Sequence, residues 1–431
     1  MKTYLDIDVY QAAAERIKFV FDNFEKIYVS FSGGKDSAIV LNLLLDYIKS
    51  NSIQKKLGVL FVDLEGQYKL TIEYVRQMIE GNLDYIEPYW VCLPLNLRNA
   101  VSVYNPFWCC WESECKDKWV RSMPDGKYVI NENNNPFWFF RRRMEFEEFV
   151  VKFGEWYSGG RSTACLVGIR SDESLNRFRT IVSTSKQTLD GKQWTTRIAS
   201  NLYNVYPIYD WATQDVWVAN AKFNWPYNKL YDMFYRAGVS IHNMRICQPY
   251  GDDQRIGLNL FRVIEPDTWA KIVNRVSGAN FGNIYCGNKL LGYRKVQLPA
   301  GHTWRSYTKL LLESLPPETA ANYKDRFIKF IRFWNKHGAA VRKEYHDLLP
   351  KEAEVLPQKS SRGHKDKHLV RYRKIPDSLD NDLEQRRCAP TWRRMATCIL
   401  KNDHLCKGLS FTQTANQIER QKELIEKYRR L

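Results

Sequence analysis

The 431-residue chain has no run of 18 uninterrupted apolar residues, which excludes a simple membrane-spanning helix on length. Its opening, MKTYLDIDVYQAAAERI, carries acids within the first eight residues and no apolar core of signal-peptide length. These two absences predict a cytoplasmic protein without a membrane partner. Cysteine occurs ten times but without regular spacing, and no Cys-x-x-Cys is present. That excludes the disulfide framework of a small secreted domain and the two tight pairs of a zinc ribbon. No internal repeat is visible. Acids are the scarcer charge, 48 Asp and Glu against 65 Lys and Arg, for a formal charge of +17. From Gly301 onward 28 Lys and Arg face 16 Asp and Glu, so a surplus of 12 lies in the last 131 residues. A basic C-terminal part favours a polyanionic partner, with nucleic acid one candidate and a solvated basic face the alternative.

What the chain does have is enough apolar sequence, 44%, to fill the cores of two or three domains. Residues 9–24 carry apolar positions at helical spacing and precede IYVSF, a short run of the kind that forms a buried parallel strand. A glycine turn follows, then a helix over Asp36–Lys49 that is apolar nearly all round. Strands at LGVLFVDLE and DYIEPYWVCLPL flank a helix at LTIEYVRQMIEG. This alternation predicts an α/β fold with a doubly wound parallel sheet. The pattern breaks at 99–135, a Trp- and Cys-rich stretch read as an insertion over the sheet. A helix near MEFEEFVVKFGEWY and a strand in STACLVGIRSDE resume the pattern. In YPIYDWATQDVW, Asp210 or Thr213 is the expected N-cap of a helix. The nucleotide-binding domain is expected over 1–295, with a basic helical region over 296–431 and an exposed linker at about 356–376. The helices expected in that region are SYTKLLLESL, ETAANYKDRFIKFIRFWNKHG and QTANQIERQKELIEKYRRL.

The loop SFSGGKDS has what a phosphate cradle needs: unobstructed backbone N–H groups, a helix N-terminus and a cation. Gly33 and Gly34 permit close approach, Lys35 supplies charge, and Asp36 or Ser37 opens the helix. It is not a Walker A loop, because the glycine that GxxxxGK[ST] requires five positions before the second is missing.

SGGKDS resembles the signature of the PP-loop, or adenine-nucleotide α-hydrolase-like, superfamily, and the surrounding motifs resemble its phosphoadenosine phosphosulfate (PAPS) reductase branch. The resemblance implies a PP-loop, Rossmann-like sheet that binds ATP or a sulfonucleotide. By match, Ser32, Gly33, Gly34, Lys35, Asp36 and Ser37, with Ser30 just before them, would bind phosphates. FVDLEGQY sets Asp63 at the end of the second strand, where it could meet ribose hydroxyls or Mg²⁺. VGIRSDESLNRFR resembles the branch's G-[IL]-R-x-x-E-S-x-x-R segment, which would aim Arg170 and Arg177, beside Gly168, at phosphate or sulfate oxygens. YPIYDWATQDVW resembles another segment of the branch, with Asp215 capping or orienting a helix near the site. The segments at 231–255 and 390–403 are similar to the immunoglobulin-binding regulator A-like subfamily.

Two departures shape the chemical expectation. The branch's sulfonucleotide reductases carry a catalytic Glu-Cys-Gly-(Leu or Ile)-His segment, and none of CLVG, RICQP, IYCGN, RRCAP or HLCKG matches it. The iron–sulfur members add Cys-x-x-Cys to a Cys-Cys pair; Cys109 and Cys110 give only the pair. Neither an iron–sulfur cluster nor zinc is expected, and Cys109, Cys110, Cys115, Cys388, Cys398 and Cys406, with His404, read as buried or structural groups. Cys247, crowded by Arg245, Asp252, Asp253 and Arg255, is the candidate to face the substrate, with a structural thiol as the alternative. The expected activity is cleavage of Mg·ATP to AMP and pyrophosphate with adenylation of an acceptor. Lys35, Asp36, Arg170 and Arg177 are the catalytic candidates, and Asp36 and Asp63 the Mg²⁺ candidates. PAPS chemistry and a regulatory or defence-associated nucleotide-binding protein with a protein partner stay open as alternatives.

Overall fold

The structure, a computed structural model, describes residues 5–102, 104–183, 186–246, 250–251, 258–280, 298–359 and 367–410. The chain divides into two compact units, Met1–Arg98 with Phe107–Ser277, and Asn99–Pro106 with Gly278–Leu431.

The first unit opens with helix α1 (Val9–Asn23), started by a capping box in which Asp8 and Gln11 exchange side-chain and backbone bonds. Strand β1 (Lys26–Ser30), helix α2 (Lys35–Ser50), strand β2 (Leu57–Val62), helix α3 (Lys69–Glu80) and strand β3 (Ile86–Val91) follow. Short strands β4 (Asn96–Arg98) and β5 (Phe107–Cys109) pair antiparallel, and β6 (Val129–Ile130) returns to the main sheet. Then come α4 (Phe146–Ser158), β7 (Thr163–Leu166), α5 (Leu175–Val182), β8 (Thr195–Ala199), β9 (Leu202–Val205), α6 (Thr213–Lys222), α7 (Leu230–Arg236), α8 (Leu258–Ile264) and α9 (Pro266–Arg275). The seven-stranded sheet runs β6-β3-β2-β1-β7-β9-β8 and is parallel except for β8, which lies antiparallel to β9.

This is the mixed α/β architecture that the strand and helix alternation predicts. Ile39, Val40, Leu41 and Leu44 of α2 are fully enclosed, because this helix packs with α1 and α6 as well as beside β1. Burying each such side chain contributes roughly 1.5–3 kcal/mol before entropy is charged against it. Chain order places β1 next to both β2 and β7, so the connections from these strands leave on either side of β1. Ligands of open α/β sheets bind in the crevice at the carboxyl ends of such strands.

Three sequence expectations are corrected. The insertion expected at 99–135 contains β6, which pairs with β3 at the sheet edge and is too short to show a period of two. The helix after YPIYD is capped at Ala212, not by Asp210 or Thr213: Asp215 Oδ2 accepts from Ala212 N at 2.7 Å. Asp210 is occupied by Arg16, whose Nη2 lies 2.6 Å from Oδ2.

The third correction concerns the second unit. Its helices Trp304–Glu313 and Pro317–Lys336 agree with expectation, but strands Ala339–Arg342, Ala353–Lys359 and Lys367–Tyr372 form a three-stranded antiparallel sheet. The stretch read as an exposed linker thus contains the sheet's central strand, with Val370 and Tyr372 buried beside Phe330 and Trp334. Its apolar residues alternate with Arg371, and the density of Lys and Arg around them hides the period. Helix Trp392–Leu400 closes this core with Met395 and Ile399. The expected helix at 413–431 lies outside the described residues.

Candidate active site

The turn from β1 to α2 is built by glycine and by its neighbours. Gly33 has φ +72°, and a Cβ there would lie 2.9 Å from both Thr71 Cγ2 and Val75 Cγ2 of α3. Gly34 is the N-cap of α2 in extended backbone and supplies no side-chain cap of its own, and of the first-turn amides that of Lys35 is taken by the Tyr231 hydroxyl. Ser37 Oγ accepts from Ser32 N at 3.2 Å and lies 3.0 Å from Gly34 O, which fixes the loop's curvature. Asn228 Nδ2 donates to Gly33 O and to Thr71 Oγ1, each at 3.0 Å, tying the loop to α3. Ser30, the last residue of β1, is half-buried below it.

Lys35 is 4% exposed, an unusual burial for an ammonium. Its Nζ donates to Met244 O at 3.0 Å and stands 3.2 Å from Asp36 Oδ2. Its backbone N–H donates to the Tyr231 hydroxyl at 2.8 Å. Asn228 has no local signal in the sequence, and Tyr231 and Met244 fall within the segment 231–255, whose resemblance gives them no role.

The GIR segment is brought to the same place. Arg170 is 1% exposed, and its Nε donates to Asp36 Oδ1 at 2.6 Å. Its Nη1 reaches Thr213 Oγ1 at 3.3 Å and Trp211 O at 3.4 Å, so the WATQD turn supports it. Gly168 packs directly on the first turn of α2, where a Cβ would stand 2.7 Å from Asp36 C and Ser37 N. Arg177 is set differently: it lies on α5, more exposed, with Nε 2.9 Å from Glu173 Oε2. Arg245 donates to Glu173 O, which joins it to the same segment. Cys247, Asp252, Asp253 and Arg255 lie outside the described residues.

Asp63 sits at the end of β2 as expected, but its carboxylate is enclosed. Oδ2 accepts from Trp90 Nε1 at 2.8 Å, and Oδ1 accepts from Glu65 N at 3.0 Å and from Arg121. Neighbouring Glu65, also fully buried, accepts from Trp111 N at 2.7 Å and Val120 N at 3.1 Å, and its Oε1 lies 2.8 Å from Arg275 Nε. Tested as a cation site, this donor set does not fit. Both oxygens of Asp63 are taken inside the protein, and each oxygen of Asp36 already faces a cation, Arg170 or Lys35. Any Mg²⁺ would therefore arrive as part of the nucleotide. Glu65, Arg121 and Arg275 are site-bordering residues that sequence reading missed.

Comparison with known proteins adds to this geometry. Over 421 residues the chain is 38% identical to uncharacterized protein YbdN of Escherichia coli, covering 96% of this chain and 93% of that protein. The chain belongs to the YbdN family. Residues 114–239 of this YbdN-family chain match the phosphoadenosine phosphosulfate reductase domain, and residues 238–420 match a domain of unknown function, DUF3440. Uncharacterized protein MJ0066 of Methanocaldococcus jannaschii is 27% identical over 245 residues, 52% of this chain and 38% of that protein. Among solved structures, PAPS reductase from Candida auris is similar at TM-score 0.31 and 14% identity, over 54% of this chain and 93% of that one. The U34-tRNA thiolase NcsA from Methanococcus maripaludis, with its [4Fe-4S] cluster, is similar at TM-score 0.30 and 12% identity, over 70% and 88%.

Of the thiols of the YbdN-family chain expected to be buried, Cys109 and Cys110 in the first unit are, as are Cys92 and Cys165, whereas Cys115 and Cys388 are half-buried. Burial pushes the Cys109 and Cys165 thiols up to about 12, and raises those of Cys92 and Cys110 well above the ordinary thiol value. A protonated thiol is a poor nucleophile. Iodoacetamide at pH 8 should accordingly leave Cys92, Cys109, Cys110 and Cys165 unmodified in the native protein and alkylate them in urea. Peptide mass spectrometry checks this, and rapid native labelling of the Cys109–Cys110 pair would contradict it. In the second unit Cys398 and Cys406 are buried, and His404 O accepts from Asn322 Nδ2 at 2.9 Å. Among the described residues, no three His, Cys, Asp or Glu side chains are grouped to hold a metal, and no helix is long and apolar enough to cross a membrane.

Proposed function

We propose that the protein binds ATP, as its magnesium complex, on the SFSGGKDS loop and cleaves the bond between the α- and β-phosphates. The observation that carries the reading is the joining of a helix N-terminus whose N-cap is a glycine to two buried cations, Lys35 and Arg170, at one loop. An acceptor oxygen attacks the α-phosphorus, and the bond from that phosphorus to the oxygen bridging the β-phosphate breaks. Pyrophosphate leaves with the electron pair, and the acceptor becomes an adenylate. A second nucleophile, sulfur in a transfer reaction, then displaces AMP. In this step the chain's own work is electrostatic: first-turn amides, Lys35 and Arg170 oppose the charge that gathers on the leaving oxygens. Asp36 positions Arg170 and Lys35, and Arg177, on the more exposed α5, would meet the anionic end of the acceptor. Cys247 and the charged residues 245–255 would face that acceptor. The basic C-terminal unit makes a nucleic-acid acceptor or platform part of the reading. The reading also keeps a cytoplasmic location and a protein partner.

The match to the PAPS reductase domain favours one alternative, reduction or transfer with a sulfonucleotide as substrate. Radiolabelled ATP and PAPS separate the two. Release of AMP and pyrophosphate from ATP, lowered about 100-fold in kcat/KM by Lys35→Ala, is the expected result. Sulfite release from PAPS with no turnover of ATP would sink the proposal.

A further inference from the structure

Two histidines in the second unit lie apart from the proposed chemistry. His346 belongs to the 3₁₀ helix Lys343–Leu348 that follows strand Ala339–Arg342, and His368 lies on strand Lys367–Tyr372, opposite Val341. Their ring centroids are 5.1 Å apart, with the planes inclined at 64°. Nε2 of His346 and Nδ1 of His368 are both buried without a hydrogen-bond partner. A buried polar atom without a partner is a rarity that a water or an ion commonly explains. Two such atoms on touching imidazoles narrow the choice, because neutral imidazole nitrogen is a preferred ligand of zinc, copper and nickel.

The separation itself fits a metal. With a Zn–N distance of about 2.1 Å and a nitrogen about 1.1 Å from its ring centre, tetrahedral coordination sets two ligating imidazole centroids about 5.2 Å apart. The observed 5.1 Å matches this value. We propose that His346 and His368 form a two-histidine site for a divalent transition metal of the zinc class. Among the described residues no group of three His, Cys, Asp or Glu could hold a metal, so within these residues the two imidazoles are the protein's share of the coordination. Such a site would fasten the 3₁₀ helix to the central strand of the sheet. It is independent of the nucleotide reading and uses none of its residues.

The experiment titrates the full-length protein with Zn²⁺ alone against a chromophoric chelator and follows thermal melting. The wild type should bind one equivalent with micromolar affinity that His346→Gln and His368→Gln each weaken at least tenfold. Zinc should raise the melting temperature of the wild type and not that of the variants. Any zinc taken up by thiols would be common to all three proteins and would cancel in the comparison. Equal stoichiometry and affinity across the three would overturn the site. Should a variant fail to fold by circular dichroism, hydrogen exchange on the wild type decides: zinc must slow exchange within 343–348 and 367–372, and unchanged exchange in both segments overturns the proposal.

Discussion

Gly168→Ala is expected to cost about 3 kcal/mol of stability and to lower ATP affinity at least tenfold, although it adds a single methyl group. That group would stand 2.7 Å from Asp36 C and Ser37 N and 2.8 Å from Asp36 O. All three are backbone atoms in the first turn of α2, so no side chain can rotate away. Relief must come from moving β7's exit loop or the helix start, and overpacking of this kind costs typically 1–3 kcal/mol. The upper end applies because the obstructing turn is itself held, by Ser37 Oγ on Gly34 O at 3.0 Å and by Arg170 on Asp36 at 2.6 Å. The functional loss follows from the same displacement, since a helix start shifted by a few tenths of an ångström takes its amides and Lys35 with it. Urea denaturation and calorimetric titration with ATP test the two parts separately. A variant as stable as wild type, with unchanged ATP affinity, would remove Gly168 from the construction of the cradle.

The turn from β1 to α2 is legible in the sequence because its own residues are local. A β-branched run, two glycines and a long apolar helix define the turn within 25 residues, and Gly168 and Arg170 share one short segment after β7. Period and punctuation carry such information. What they cannot carry is pairing between distant charges. Glu65 and Arg275 look like ordinary surface residues in sequence, yet the fold buries them against each other, 210 positions apart. Asp63 shows the same limit from the other side. Its place at the end of β2 was readable, but its enclosure by Trp90 and Arg121 depends on a segment whose path has no periodic signal. The second unit's central strand is hidden for a different reason: the Lys and Arg in and around it outweigh the alternation of Val370 and Tyr372.

Glu65→Ala, at a residue outside every motif, should therefore cost about 3–5 kcal/mol of stability. The carboxylate is fully buried and meets four donors: Trp111 N, Val120 N, and both Nε and Nη2 of Arg275. Truncation leaves two backbone N–H groups unpaired and a guanidinium, only 7% exposed, without its counter-charge. Cys109 O still accepts from Arg275 Nη2, but a carbonyl does not neutralise it. Because breaking one side of a buried pair costs more than removing both, Glu65→Ala combined with Arg275→Met should recover about 2 kcal/mol of the loss. Purely additive stabilities in urea melts would contradict the coupling. A second consequence reaches the candidate site. The segment that Glu65 holds through Trp111 and Val120 also carries Arg121, the partner of Asp63, at the carboxyl end of β2. Releasing it should expose the Asp63 carboxylate and quicken hydrogen exchange across 108–122 before the global transition. If exchange there is unchanged while stability falls, Glu65 supports the core alone and the border of the site is held by other contacts.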